Sequence, residues 1–247
     1  MNQVQNEYVY PLTVASYDVG EGDRMHLSAV LRYHQEAAEQ HLAPGGLGWD
    51  GQLANGFTFV LTRWHAQLLR LPAMGEKLTI TTWHRERRGP RFYRCHLWRD
   101  AAGAELIRSV TEYAMVSIED HRLLRGELFD RFGIPPHPEH TIACADPERW
   151  KTPPLSPVGD YVVRRSDTDR NGHMNNTHYG DLCTDFLPGK GIVREVSLHF
   201  AGETRPGDRL CMTAAREGDT GYVRGETERG LSFDAKLIVS AEAGGGI

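Results

Sequence analysis

The chain of 247 residues contains only four cysteines, Cys95, Cys144, Cys183 and Cys211, spaced far apart and without a C-x-x-C pair. That scarcity excludes a disulfide framework and a thiolate zinc site, and leaves the four as reduced, partly buried small side chains. Long apolar runs are missing as well. Stretches such as 57–61 (FTFVL) stop far short of the roughly 18 residues that span a bilayer, so a soluble protein with no membrane partner is expected. Positive charge is not in excess: 28 Lys+Arg stand against 33 Asp+Glu, for a net charge of −5. Such a chain has no global attraction for nucleic acid or anionic lipid, and an acidic partner must be met by a local basic patch. The start, MNQVQNEYVYPLTV, lacks the basic and apolar regions of a signal peptide and carries Glu7 where a transit peptide avoids acids. A cytoplasmic location is the expectation. What remains is 40% apolar residues and 25% charged, enough for one large domain or two small ones with real cores.

Two halves with the same order of elements are visible. Segments 8–17 (YVYPLTVASY) and 160–165 (DYVVRR) read as strands, each leading through a polar turn into a helix-like stretch. At an offset of 146 residues Asp23 falls on Asp169 and Tyr33 on Tyr179. Further on, a Pro-containing turn ends in Gly75-Glu76 in one half and Gly207-Asp208 in the other, at an offset of 132. The Gly-rich stretch 43–56 (APGGLGWDGQLANG) absorbs the difference of 14 as a loop. In the first half the pattern predicts a helix over 28–41, opened by a Ser cap, with Val30, Tyr33, Ala37 and His41 near one face. Strands follow near 57–70, 77–88, 91–100 and 104–118; in the second half a helix over 174–186 precedes strands near 193–204, 208–217, 220–229 and 231–241. Seven prolines between 119 and 158 predict an extended linker, and the Gly244-Gly245-Gly246 tail predicts disorder.

A strand, a long helix and an antiparallel sheet that wraps it make the hotdog arrangement. The expected fold is therefore α+β, a tandem (double) hotdog with units at 1–118 and 159–247 joined by a Pro-rich linker at 119–158. Composition alone is equally compatible with another α+β fold; the order of segments favours the hotdog.

Residues 166–179 read SDTDRNGHMNNTHY and place Asp167, Asp169, Asn171, His173, Asn175 and Asn176 within ten residues. Asp and Asn on their own are ordinary turn and cap chemistry. A histidine in such a loop, just ahead of a helix expected to start near Met174, points further: free N–H groups there can hold a carbonyl oxygen and oppose protonation of His173. Asp167-x-Asp169-x-Asn171-Gly172 also matches the first half of an EF-hand calcium loop, but His178 occupies the place of the bidentate Glu and a strand precedes the loop.

The string Asp169-x-Asn171-x-His173-x-Asn175-Asn176-x-x-Tyr179 resembles the signature of the acyl-acyl carrier protein thioesterases, the FatA/FatB-type family of plants and bacteria. The likeness extends to 32–38 (RYHQEAA), the Pro and Gly turns, and Phe200-Ala-Gly-Glu203-Thr204. It implies a double hotdog, hydrolysis of fatty acyl thioesters on acyl carrier protein, and no cofactor and no metal. Carried over position by position, the catalytic residues are Asp169, Asn171, His173 and Glu203, with Asn175 and Asn176 at the substrate. Where plant members have a Cys after the Glu, this chain has Thr204, which removes a thiolate nucleophile. The plant transit peptide and N-terminal extension have no counterpart, which implies a bacterial type of member.

The chemistry of the residues agrees with attack by water. A thioester has a good leaving group, so hydrolysis needs chiefly a base for the water and donors for the developing oxyanion. Glu203 is the candidate base; judged without the family it is equally an exposed turn acid. Asp169 would orient the network or share the base role, Asn171 would hold water or substrate, and His173 would bond to Glu203 or assist proton transfer. At the offset of 146, Met25, Leu27, Ala29 and Val30 replace Asn171, His173, Asn175 and Asn176, so the first half is expected to carry a degenerate site and an acyl pocket. Trp49, Phe57, Phe59 and Trp64 are candidate walls, or simply core aromatics. Arg85, Arg87, Arg88, Arg91 and Arg94, with only Glu86 nearby in sequence, form a candidate landing site for an acidic acyl carrier protein, or a solvated hairpin tip. Hydrolysis of acyl-coenzyme A or another thioester, and non-catalytic acyl binding, stay open as alternatives, as does pairing into a homodimer.

Overall fold

The computed structural model describes residues 4–241; the glycine tail expected to be disordered lies outside them. Ten strands form one antiparallel sheet in the order β1-β3-β4-β5-β2-β7-β10-β9-β8-β6. They are β1 Glu7–Thr13, β2 Phe57–Leu68, β3 Lys77–Arg88, β4 Arg91–Asp100, β5 Glu105–Ser117, β6 Ser156–Val162, β7 Ile192–Phe200, β8 Arg209–Glu217, β9 Thr220–Thr227 and β10 Gly230–Ser240. The order is a palindrome: β1-β3-β4-β5-β2 is repeated in reverse by their successors five strands on, and β2 meets β7 at the centre. His65 stands opposite Ser197 in that pair and shares a 2.9 Å Nδ1–Oγ hydrogen bond with it. The tandem hotdog expected from the order of elements is thus the fold.

Backbone hydrogen bonds correct the register of the repeat. β6 begins 149 residues after β1, at Ser156 against Glu7. Gly20 N–H donates to Arg24 O as Asp169 N–H does to His173 O, and His26 N–H donates to Asp18 O as Asn175 N–H does to Asp167 O. The offset in this region is therefore 149, not 146, and the Asp23–Asp169 and Tyr33–Tyr179 matches are coincidental. The later offset of 132 holds, since Gly75 N–H donates to Val14 O and Gly207 N–H to Val163 O. In the correct register Gly20, Gly22, Arg24 and Leu71 stand where the second half has Asp169, Asn171, His173 and Glu203. No carboxylate is among them, so the first half lacks the acid for a different set of replacements than the sequence suggests.

Helix α1, Leu27–Leu42, lies on the inner face of the sheet and buries Val30, Leu31, His34, Ala37 and His41. Its N-cap is His26 with no side-chain cap; Ser28 lies inside the helix, and its N–H donates to Asp181 Oδ1 at 3.0 Å. A carboxylate from the other half thus replaces the expected Ser cap. Helix α2, Trp49–Ala54, occupies the Gly-rich stretch expected to be a loop. Helix α3, His178–Asp185, is half as long as α1 and starts four residues later than expected. Residues 174–177 are drawn off by other partners: Met174 N–H donates to Thr204 O, Asn175 N–H to Asp167 O, and Thr177 N–H to Asn175 Oδ1. Side-chain and cross-loop acceptors here outcompete helical bonding. The core between helices and sheet is apolar, with Trp64, Trp98, Ile80, Ile107, Leu198 and Phe233 fully buried.

Residues 119–155 contain no strand, but they are not a free tether. A 3₁₀ helix, Gly126–Phe132, packs Phe129 against Phe59 and Phe92. Beyond it the chain crosses the outer face of the sheet as a strap, held by His137 N–H to His84 O, Trp83 Nε1 to His140 O, and Arg63 to Glu148 O. Pro157 falls within β6, an edge strand where a missing N–H is tolerated. Among the described residues no helix is long and apolar enough to cross a membrane.

Candidate active site

The loop between β6 and α3 is built on a buried carboxylate. Asp167 accepts from Tyr161 Oη at 2.8 Å and from Arg164 N–H at 2.7 Å. This inward role removes it from any calcium loop, and the EF-hand resemblance ends there. Asp169 accepts from the backbone N–H of Asn171 at 2.8 Å and lies 3.4 Å from its Nδ2, while Gly172 turns with φ +74°. The 2.8 Å bond from Met174 N–H to Thr204 O then stitches this loop to the segment after β7. That stitch brings His173 beside Glu203, with Nε2 and Oε2 3.3 Å apart. The histidine is mostly covered, at 20% side-chain exposure, whereas Glu203 keeps 53% and is reached by water. The four expected catalytic residues all line one cavity, and His173 and Glu203 are in contact across it.

The expected helix N-terminus is not there to serve His173, because α3 begins five residues later. Asn176 lines the cavity, but Asn175 does not: its carbonyl caps Thr177 N–H, so it shapes the turn. Thr204 is fully buried and its Oγ1 lies 2.9 Å from Tyr179 Oη, which is 3.2 Å from Ser232 Oγ. Thr204, which stands where the resemblance implied a Cys in plant members, is therefore a link in a buried hydroxyl chain. Cys183 is sealed in the core with its thiol pushed well up by burial, and no cysteine lines the cavity. Thr204→Ala is expected to lower thermal stability by breaking that chain yet keep most turnover, which melting and steady-state assays on one preparation check.

The cavity measures about 760 Å³ and runs from this loop between α1, α2 and the inner face of β2, β4 and β5. Trp49 and Phe59 line it, as expected. Phe57 and Trp64 do not: they are 2% and 0% exposed and belong to the core packing. Residues not expected from the sequence to line it complete the wall, including Phe129 from the 3₁₀ helix and His84, Arg94, Thr111 and Tyr113 from the sheet. An inward polar residue on an alternating strand was the available signal, but its ligand-facing side appears only with the strand order. Arg170 reaches from the loop ahead of α3 to Asp50 at 3.1 Å and sits 5.3 Å over the Trp49 ring, tying the loop to α2.

The arginine cluster is not an unpaired patch. Arg94 is buried and bonds His41 Nδ1 at 2.9 Å and Thr82 Oγ1 at 3.2 Å, so it cannot meet a partner protein. Arg85 and Arg88 both pair with Asp146 at 2.8 Å and with Glu86; Arg87 pairs with Glu127 and Asp130; Arg91 lies 3.7 Å from Glu112. Acids distant in sequence neutralise the cluster, and four of the five guanidiniums hold the strap and its 3₁₀ helix or the sheet face together. Arg88 and Arg91 keep about half of their side chains exposed, at 55% and 53%, while Arg94 is sealed.

Comparisons with known proteins give matches over most of the chain. The family model described as the acyl-ACP thioesterase N-terminal domain matches residues 5–127, and that of the C-terminal domain matches 155–244. Oleoyl-acyl carrier protein thioesterase 2 of Arabidopsis thaliana is 25% identical over 223 residues, covering 81% of this chain and 60% of its own length. A dodecanoyl-[acyl-carrier-protein] hydrolase of Cinnamomum camphora is 27% identical over 232 residues, with 88% and 60% covered. The chain thus spans about three fifths of the length of these curated relatives. Among solved structures, an acyl-ACP thioesterase from Bacteroides thetaiotaomicron superposes with a TM-score of 0.86 at 19% identity, covering 95% of this chain and 98% of that one. The 12:0-ACP thioesterase of Umbellularia californica gives 0.82 at 19%, with 96% and 98% covered.

Proposed function

The chain belongs to the acyl-acyl carrier protein thioesterase family, and on that premise we propose that it hydrolyses fatty acyl thioesters of acyl carrier protein to free fatty acid and carrier thiol. The observation that carries this reading is the His173–Glu203 pair, half open to water, on the wall of a 760 Å³ cavity. The acyl chain lies in the cavity along Trp49 and Phe59, and the phosphopantetheine arm enters from the side of the catalytic loop.

Glu203 is the general base. It takes a proton from water as the water oxygen attacks the thioester carbon; the C–S bond then breaks and the thiolate leaves, recovering that proton as thiol. His173 positions the carboxylate through its 3.3 Å contact. Asn171 and Asn176 supply amide donors to the carbonyl oxygen, and Asp169 holds Asn171 in place through the loop bonds. No cofactor is required by this chemistry, and the cytoplasm is the location proposed for it.

The carrier is tested by presenting one acyl group on acyl carrier protein and on coenzyme A and following thiol release. Higher kcat/KM on the carrier protein supports the proposal; equal or higher kcat/KM on coenzyme A assigns the site to acyl-coenzyme A hydrolysis instead.

A further inference from the structure

We propose that Glu7, His137 and His140 form a binding site for a divalent late first-row transition metal ion of the Zn²⁺ type, remote from the catalytic loop and independent of the thioesterase reading. Each of the three offers a ligand atom, and these atoms lie within 4.8 Å of one another; they are the one such group among the described residues. His140 Nδ1 is already 2.9 Å from Glu7 Oε2.

Two of the three ligands are positioned by a single residue, Trp83, one through strand pairing and one through its side chain. Glu7 on the edge strand β1 stands opposite Trp83 on β3. The Trp83 indole stacks on the His140 imidazole at 3.9 Å and 4°, and its Nε1 donates to His140 O at 3.0 Å. His137 is fixed by its own backbone: its N–H donates to His84 O at 2.8 Å, and its carbonyl accepts from His140 N–H at 3.3 Å. The backbone at all three positions is therefore held, and only side-chain rotation of His137 and Glu7 is left to close the site.

Ligand type and spacing fit the ion. Two imidazoles and one carboxylate suit zinc and its neighbours, whereas Mg²⁺ and Ca²⁺ prefer all-oxygen shells. Around a tetrahedral ion with bonds of roughly 2.0–2.1 Å, ligand atoms stand about 3.4 Å apart, so the observed cluster needs to contract by little more than an ångström. All three residues are partly exposed, so water is at hand for the fourth position. Glu139, whose carboxylate lies 3.5 Å from His137 Nδ1, adds negative charge beside the site. The histidines fall in the stretch between the two matched family regions, 128–154, so the site belongs to the strap of this chain. A bound ion would rivet that strap to the sheet edge.

The test counts metal on the full chain, stripped with chelator and free of any histidine tag. Dialysis against Zn²⁺ is expected to leave one bound equivalent and to raise the melting midpoint by roughly 5 °C at a hundredfold excess over Kd. Co²⁺ should give visible d–d bands, and Mg²⁺ should give neither shift nor binding. His140→Phe keeps the ring on Trp83 but removes the ligand, and Glu7→Gln keeps a partner for His140 but removes the charge; His137→Gln completes the set. Each should lose the equivalent while its circular dichroism stays native. Less than half an equivalent on the wild type, or retention of the full equivalent by the His140→Phe and His137→Gln variants, overturns the proposal.

Discussion

Glu203→Gln and His173→Ala each lower turnover of an acyl thioester by at least roughly 100-fold, the usual scale for removing an acid–base participant. Gln is isosteric with the carboxylate and retains a contact for His173 Nε2, so its effect isolates the lost base. His173→Ala removes the group that holds Glu203 at 3.3 Å and opens the covered side of the pair. Both residues sit on a loop anchored elsewhere, by Asp167 and by the Met174-to-Thr204 bond, so circular dichroism and melting should stay near wild type. Asp169→Ala is expected to fall in kcat as well, with a looser loop, because its carboxylate holds the Asn171 N–H rather than facing His173. Near-normal turnover of folded Glu203→Gln would show that another group activates the water.

Stability should fall steeply with acid below about pH 6.5. His34, His84 and His96 are buried beneath α1 and on the inner face of β3 and β4, together with His41. Burial holds His34 and His84 down to about 3 and His96 well below its ordinary value; burial and then the Arg94 guanidinium hold His41 down to about 4. Hydrogen bonds fit the neutral forms: Trp98 Nε1 donates to His34 Nε2 at 2.8 Å, and Arg94 to His41 Nδ1 at 2.9 Å. The unfolded chain takes up protons on these side chains near pH 6.5, while the folded chain refuses them until far lower. Stability is thus fully present above the unfolded value and is lost as pH falls toward the folded values. Four such groups give a slope of up to roughly 5 kcal/mol per pH unit, against a total stability on the order of 5–15 kcal/mol. Urea unfolding at pH 8, 7, 6, 5 and 4.5 should show a plateau followed by a collapse near pH 5; a flat profile down to pH 4.5 would mean that these histidines are protonated in the folded protein.

The strands were legible to within a few residues because alternation is a local signal and the tight turns at Gly75 and Gly207 have strong residue preferences. The loop ahead of α3 was legible for the same reason: its Asp, Asn, Gly and His sit at fixed short spacing. What failed depended on partners distant in sequence. Asp146, Glu127 and Asp130 pair with arginines some 40 to 60 positions away, and no spacing rule announces them. Trp64 reads like Trp49, but the bulge between Leu61 and Arg63 and the central position of β2 put Trp64 in the core. The repeat was visible in outline, yet two side-chain identities set it three residues out of register. Backbone bonds at Gly20 and Asp169 corrected it.

The most direct test is a quenched reaction of the protein with an acyl-acyl carrier protein, analysed by mass spectrometry for acid, carrier and enzyme together. Direct attack by Glu203-activated water predicts free fatty acid and carrier thiol in equal amounts, with the enzyme mass unchanged at every time point. Either an enzyme that gains the mass of the acyl group during turnover, or a folded protein that binds the substrate and releases no thiol, would contradict it.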